Sequence, residues 1–372
     1  MKANRKRNSK WIAGTVVLSC FVMLASACSS GTGKELGGPS GRETVNKPDK
    51  TITVINEPVQ KNTKLTVSGI ATIDNARGMN FIGDGKLVIS RPNKDVEPIQ
   101  GEGEKVQPNN IYLYDLQTKT ADALAPASEN QGFSEVSPDG KYLFYKMTEE
   151  ATAFGRILNL ETKQSVMLGK EPIDPSSGQW IDNSHVFFTT LSGKMLLADT
   201  NGSLKTIAQA NGFILTAAMG NGGIYYVAGG DQMELYFQSL EEGAKPEKIA
   251  DGVEWIIPSP DMKQLAMVKK TSETMRELSV VDQKGKTLLK ITKATQIFGT
   301  RWSPDGTKLA YSLTSENGGD NGIFVADALT GETTSVLVEQ AADTLNWDAT
   351  GKKLVTSTFK EDQFRTSIIS LN

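Results

Sequence analysis

A chain of 372 residues with 38% hydrophobic and 22% charged residues carries enough apolar material for a large folded body, which excludes a disordered polymer and a crosslink-dependent miniprotein. Its 40 basic and 43 acidic residues give a net charge of −3, without the basic footprint that nucleic acid requires. One histidine and two cysteines leave little to build a histidine- or cysteine-ligated metal centre, so no metal and no cofactor is expected.

Five cations (Lys2, Arg5, Lys6, Arg7 and Lys10) precede a mostly apolar stretch at 11–24 that is too short for a stable membrane span. Leu24-Ala25-Ser26-Ala27-Cys28 follows. Small residues running into cysteine resemble the bacterial lipobox, which implies cleavage before Cys28 and diacylglycerol on its thiol. An ordinary secretory signal cut after Ala27 is the alternative. Residues 1–27 thus read as a lipoprotein signal peptide and Cys28 as the lipidation site. The expected location is outside the cytoplasm, held to the bacterial membrane by lipid, since two or more chains anchor where one is marginal. Cys20 would leave with the signal, so no disulfide is expected. Losing the five cations of the signal leaves 35 basic against 43 acidic residues, a net of −8. That balance argues against the body itself lying on anionic lipid. Residues 28–50 are expected to be a flexible tether, with a Gly- and Ser-rich run that has almost nothing to bury. Residues 51–372 are expected to form the folded body.

Seven times along that body an apolar run breaks at a polar turn and resumes as an apolar strand. The turns centre on Asp84, Asp139, Asp182, Asn221, Asp261, Asp305 and Thr350, spaced 55, 43, 39, 40, 44 and 45 residues apart. Such spacing suits four-stranded propeller blades of roughly 40–50 residues. The first interval is lengthened by an insertion after Arg91. Pro sets the turn's first dihedral, Asp bonds its own backbone and Gly supplies positive φ. Strands rich in aromatic and branched residues follow, such as Tyr142-Leu143-Phe144-Tyr145 and Val186-Phe187-Phe188-Thr189. No segment keeps a helical period. The pattern predicts an all-β fold, a seven-bladed β-propeller of four-stranded antiparallel blades. The last repeat lacks a fourth strand; of two β-like segments ahead of the first repeat, 51–55 and 64–70, one, with 64–70 favoured, is expected to complete it and close the ring.

Trp302-Ser303-Pro304-Asp305-Gly306-Thr307-Lys308-Leu309-Ala310-Tyr311 and Val136-Ser137-Pro138-Asp139-Gly140-Lys141-Tyr142-Leu143-Phe144-Tyr145 resemble the TolB-type propeller repeat, whose pattern is W-S-P-D-G-x-x-L/I-A-Y/F. Ser259-Pro260-Asp261 with Leu265-Ala266 is a third match, and the other copies are degenerate. The resemblance covers roughly residues 71–372. It is specific for fold and weak for function, because the repeat serves interaction proteins, peptidase accessory domains and surface lipoproteins. Two departures are the lack of a preceding α/β domain and the count of seven blades where TolB has six.

Catalytic residues do not assemble in the sequence. There is no Gly-x-Ser-x-Gly elbow, His-Glu-x-x-His pair or phosphate-binding loop. His185 reads as a general base or ligand, or as a plain turn residue. The loop 316–322 could hold a hard cation or simply connect two strands. The working surface is expected on one end of the ring, from loops at 91–110, 147–155, 269–277, 313–321 and 359–363. Long loops are disproportionately functional, and Glu97, Glu102 and Glu104 of the insertion would suit a basic partner. Phe133, Glu135, Phe298 and Arg301, near inner-strand starts, are candidates for the channel mouth. The expected function is a monomeric binding module for an envelope protein or cell-wall component, with no nucleic acid. Alternatives are a hydrolase or lyase using clustered acids at the mouth, and a ligand-sensing accessory lipoprotein.

Overall fold

The computed structural model describes residues 42–47, 50–55 and 64–372, except 102, 150–151, 176, 231, 317–319, 339–340 and 343. The signal peptide, Cys28 and the tether as far as residue 41 lie outside the described residues. The chain divides into two units, Met1–Thr63 and Lys64–Asn372. In the first, Arg42–Lys47 and Lys50–Ile55 pair antiparallel.

The second unit is an all-β propeller of seven four-stranded antiparallel sheets. Blade one has its inner strand at Arg77–Ile82 and continues outward through Lys86–Pro92, Asn109–Asp115 and Ala121–Ala123. Inner strands of blades two to six are Asn130–Val136, Gln179–Trp180, Ile214–Gly220, Val253–Pro258 and Gln296–Trp302. Blade seven starts at Thr344–Trp347, continues through Lys353–Lys360 and Gln363–Leu371, and takes its outermost strand, Val67–Asp74, from the other end of the unit. The closing pair runs from Val67↔Leu371 to Asp74↔Arg365. Thr66 and Asn372 exchange backbone hydrogen bonds at its end, 3.3 and 3.0 Å. The closing strand therefore begins three residues later than the 64–70 segment singled out in the sequence.

The turns explain themselves atom by atom. In blade two the Ser137 hydroxyl donates to Asp139 Oδ1 at 2.8 Å and accepts from the Tyr142 N–H at 2.9 Å. Asp139 accepts from Lys141 N, and the Gly140 N–H donates to Ser137 O, with Gly140 at φ +72°. Ser259 with Asp261 and Ser303 with Asp305 repeat the same circuit. In the degenerate copy of blade seven Asp348 replaces the serine, its Oδ1 accepting from Lys352 N and Lys353 N.

Apolar runs without alternation follow from the ring. Each blade is covered on both faces by neighbours, so successive side chains along one strand enter different interfaces. Leu143 and Tyr145 join the cluster shared with blade one, whereas Phe144 joins the one shared with blade three. Seven buried clusters result among the described residues, one per interface. Tryptophans add a polar staple between neighbouring inner strands. Trp180 Nε1 donates to Glu135 O, Trp302 Nε1 to Ile257 O and Trp347 Nε1 to Arg301 O, at 2.8, 3.0 and 3.1 Å.

The interface between blades seven and one, where the termini meet, is built differently. The Gly78 N–H is shared by Ser357 Oγ and Thr366 Oγ1 at 2.7 and 2.6 Å, and Thr344 Oγ1 donates to Gly78 O at 2.7 Å. Asn346 Nδ2 donates to Met79 O at 2.7 Å. A Cβ on Gly78 would lie 2.5 Å from Thr366 Cγ2 and 2.8 Å from Val355 Cγ2, so only glycine lets the two blades approach this closely.

Candidate binding face

Two of the channel-mouth candidates meet. Arg301, on the inner strand of blade six, places Nη2 2.5 Å from Glu135 Oε1 on the inner strand of blade two. The other carboxylate oxygen of Glu135 accepts from Asn80 Nδ2 of blade one at 3.4 Å, and Asn80 Oδ1 accepts from the Ser134 hydroxyl at 2.7 Å. An acid, a base and an amide from three blades thus tie inner strands across the ring. Phe298 is half-buried on the inner strand of blade six, opposite Ser312. It does not join this group.

The insertion of blade one spans residues 93–108 and carries a small pair of strands, Ile99–Gln100 and Lys105–Val106. Glu97 and Glu104 on it are exposed. Glu102 lies outside the described residues. The base of the insertion is held by buried amides. Asn93 Nδ2 donates to Asn110 Oδ1, and Asn110, fully buried, donates to Ala127 O and Glu129 O. Gln131 ties the next blade in the same way, donating to Ala125 O and accepting from Ile111 N.

Beside this base lies a cleft of about 370 Å³, a size typical of small-molecule sites. Inner-strand starts (Arg77 and residues 130–133) and the second-strand residues Ser90 and Thr148 line it, together with Asn109, Lys146, Pro175 and Phe364. Phe133 is therefore a wall of this cleft. It sits at a bulge between Gly132 and Ser134 with φ +33°, a conformation that costs a non-glycine residue about 1 kcal/mol or more. Its ring packs edge-on against Phe144 at 6.0 Å and lies 3.7 Å from the ammonium of Lys146.

Lys146 is 1% exposed. Its Nζ donates to Asp174 O at 3.1 Å and Pro175 O at 2.5 Å. Burial pulls its pKa from 10.5 down to about 7; the Asp174 and Glu135 carboxylates act in the opposite direction and Arg77 in the same one. Across the cleft, Arg77 Cζ lies 5.5 Å from the centre of the Phe364 ring, and Phe364 packs on Phe359, which is 60% exposed at the rim.

Sequence reasoning singled out Phe133 and the loops at this end of the ring but missed Arg77, Lys146 and Phe364. Lys146 had a signal, because a lysine interrupts a strand whose neighbours are otherwise apolar. Arg77 and Phe364 had none, since only ring closure brings them together. His185 lies beside the polar turn of blade three. Its Nδ1 lies 2.9 Å from Asp182 Oδ2 at a half-exposed turn. Among the described residues no group of three or more His, Cys, Asp or Glu side chains is placed to hold a metal ion.

No family model matches the chain, and no curated protein sequence matches it. Solved structures do. An oligogalacturonate lyase in complex with manganese superposes with a TM-score of 0.59 at 14% identity, covering 90% of this chain and 97% of that one. The β-propeller domain of the Trilobed protease from Pyrococcus furiosus, described as having an open velcro topology, gives 0.59 at 14% identity over 80% and 95% of the two chains. TolB from Acinetobacter baumannii is also similar, at 12% identity and a TM-score of 0.47, over 78% of this chain and 65% of that one. The likenesses to the lyase and to the protease domain support the β-propeller fold.

Proposed function

We propose that this chain is a lipid-anchored, extracytoplasmic propeller of the TolB-type repeat that works as a binding module, presenting the cleft face to an envelope protein or a cell-wall component. The cleft carries the reading. It gathers main-chain bulges, amides, two cations and aromatic rings from three blades at the end of the ring where the long insertion also emerges. The leader ending in Leu24-Ala25-Ser26-Ala27-Cys28 supports the anchor, and the Trp-Ser-Pro-Asp-Gly repeats support the kinship. Binding is favoured over hydrolysis or elimination by the state of Glu135. Glu135 is the acid that the sequence offered for the channel mouth, and it is committed to Arg301. Glycoside-type chemistry needs two carboxylates ~5–10 Å apart flanking the bond, and among the described residues that line the cleft there is no carboxylate.

The test is crosslinking in live cells followed by capture from detergent-solubilised envelope. The intact protein is compared with a face variant carrying Glu97→Lys, Glu104→Lys and Phe359→Ala, all exposed positions. A partner or wall fragment recovered with the intact protein and lost from the variant is expected. Identical recovery with both, or recovery of nothing, would reject the face as the working surface.

A further inference from the structure

We propose that blades five and six carry a membrane-contact edge, where Leu329 and Leu288 enter the interface of an anionic bilayer and the lysines beside them meet its headgroups. The edge rests on the lipid-anchored part of the proposed function and adds how the body stands on its membrane.

Leu329 is 88% exposed at the tip of the turn between the third and fourth strands of blade six. The ring supplies its own control, because blades one and two make the same turn. Asp115 Oδ1 accepts from Gln117 N and Thr118 N, Asn159 Oδ1 from Glu161 N and Thr162 N, and Asp327 Oδ1 from Leu329 N and Thr330 N. In each, the fifth residue (Lys119, Lys163 or Gly331) has positive φ and donates its N–H to the carbonyl of the first at 2.9 Å. The tip is therefore Gln117, Glu161 or Leu329, exposed in all three. Two copies place a polar side chain there, so the turn itself asks for nothing apolar. Neither burial nor turn chemistry accounts for the leucine.

Its neighbours point to a bilayer. Leu288, 49% exposed, stands near the start of the outer strand of blade five, Thr287–Ala294. The two blades touch here. A Cβ on Gly331 would lie 3.3 Å from Leu289 Cδ1, and Leu289 and Ala328 pack on one apolar cluster. Lys284, Lys286 and Lys290 flank Leu288 along the chain and are exposed. Lys290 shares Glu277 with Lys293, so two cations meet one acid. Glu332 follows the turn as an exposed acid. Residues 253–294 carry eight bases and five acids, a net of +3, and no other blade is net positive. The acidic mean of the body argues against its lying flat on anionic lipid, but it hides this basic edge. Exposed leucines among lysines suit a membrane interface, with apolar side chains at the acyl boundary and cations at anionic headgroups.

Two leucines are too few for a stable protein interface, which needs about 800 Å² from each partner. They suffice for a body already tethered to a bilayer, where the second contact forms at high effective concentration. The edge also leaves the cleft free. Ala328 N donates to Thr307 O in the Trp-Ser-Pro-Asp-Gly turn at 2.9 Å, so Leu329 stands at the turn end of the ring, whereas the cleft opens at the inner-strand starts.

The experiment inserts the full-length protein into vesicles of phosphatidylglycerol and phosphatidylcholine in equal parts, with or without bromine on the acyl chains. The fluorescence of an added tryptophan is read against the unsubstituted protein. Brominated lipid should quench Leu329→Trp at least threefold more than Gln117→Trp, the matching position of blade one. Adding Lys284→Glu, Lys286→Glu and Lys290→Glu to Leu329→Trp should remove at least half of that quenching, as should vesicles of phosphatidylcholine alone. Protein that floats with the vesicles but is quenched equally at the two turns, or at neither, would overturn the edge and leave the anchor standing. Quenching unmoved by the charge reversals would overturn the role of the lysines. Protein that fails to float would reject the anchor and the edge together. Quenching at 329 without envelope capture by the cleft face would reject the partner alone.

Discussion

The interface between blades five and six and the one between blades seven and one solve the same packing problem with different chemistry. The first buries a continuous apolar cluster that includes Val280, Trp302, Leu309, Tyr311 and Phe324, behind the best-formed Trp-Ser-Pro-Asp-Gly turn. The second buries a smaller apolar group (Leu87, Ile89, Tyr112, Val355 and Ile368 among them) and adds a hydrogen-bonded seam around Gly78. Apolar burial is non-directional and tolerant, whereas a hydrogen-bonded seam fixes geometry. The polar interface also adjoins the cleft through Arg77 and Phe364. Where the termini meet, the ring is less greasy and more exactly positioned, and that is where a site can be held.

The largest effect should come from breaking closure. Deleting residues 363–372 removes the strand that pairs with both Lys353–Lys360 and Val67–Asp74. Loss of a single cooperative thermal transition is expected, read by calorimetry; a truncated body that melts as the intact one does would show that the seam is dispensable.

Next come matched substitutions in the two interfaces. Leu309→Ala in the apolar one should cost about 2–5 kcal/mol, as buried leucines do. Gly78→Ala should cost a comparable amount, about 1–3 kcal/mol, although it adds atoms, because its Cβ would overlap Thr366 and Val355. Urea unfolding of both variants sharpens the contrast. A neutral Gly78→Ala would mean that the seam is loose.

Lys146 gives a pH-dependent difference. Its folded pKa of about 7 lies below the ordinary 10.5, so between those values the unfolded chain binds a proton that the fold does not. Stability contributed through Lys146 should rise as pH goes from about 7 towards 10.5 and be flat below 7. The gap in unfolding free energy between the wild type and Lys146→Met should therefore change by a few kcal/mol on the order-of-magnitude scale of ~1.4 kcal/mol per unit. A constant gap from pH 6 to pH 9.5 would contradict the burial of this amine.

The smallest effect belongs to the channel pair. Arg301 is 37% and Glu135 18% exposed, so solvent screens their attraction and Glu135→Gln should cost about 1 kcal/mol or less. A loss several times larger would reveal a pair that holds blades two and six together.

The fold was legible because the ring repeats itself. Seven polar turns at near-constant spacing fix blade number, and a last repeat one strand short requires a strand from the other end. Local chemistry also marked the turns, where Ser, Pro, Asp and Gly each have a physical task. The site was legible only in part. Phe133, Glu135 and Arg301 could be placed near an end of the ring from their position at inner strands, but Glu135 and Arg301 are 166 residues apart, and nothing local announces their pairing. Arg77 and Phe364 meet only after closure. Blade three shows another limit. Its inner strand is only Gln179–Trp180, because Pro172 and Pro175 withhold donors from the segment before it, which instead serves the cleft by offering carbonyls to Lys146.

Closure itself is tested most directly by amide hydrogen exchange along the closing strand. Val67–Asp74 should be protected as strongly as Gln363–Leu371 and should lose protection together with it in denaturant. Rapid exchange across Val67–Asp74 while Gln296–Trp302 and Lys308–Thr314 stay protected would mean that the ring is open, and that the face assigned to binding is not held in one piece.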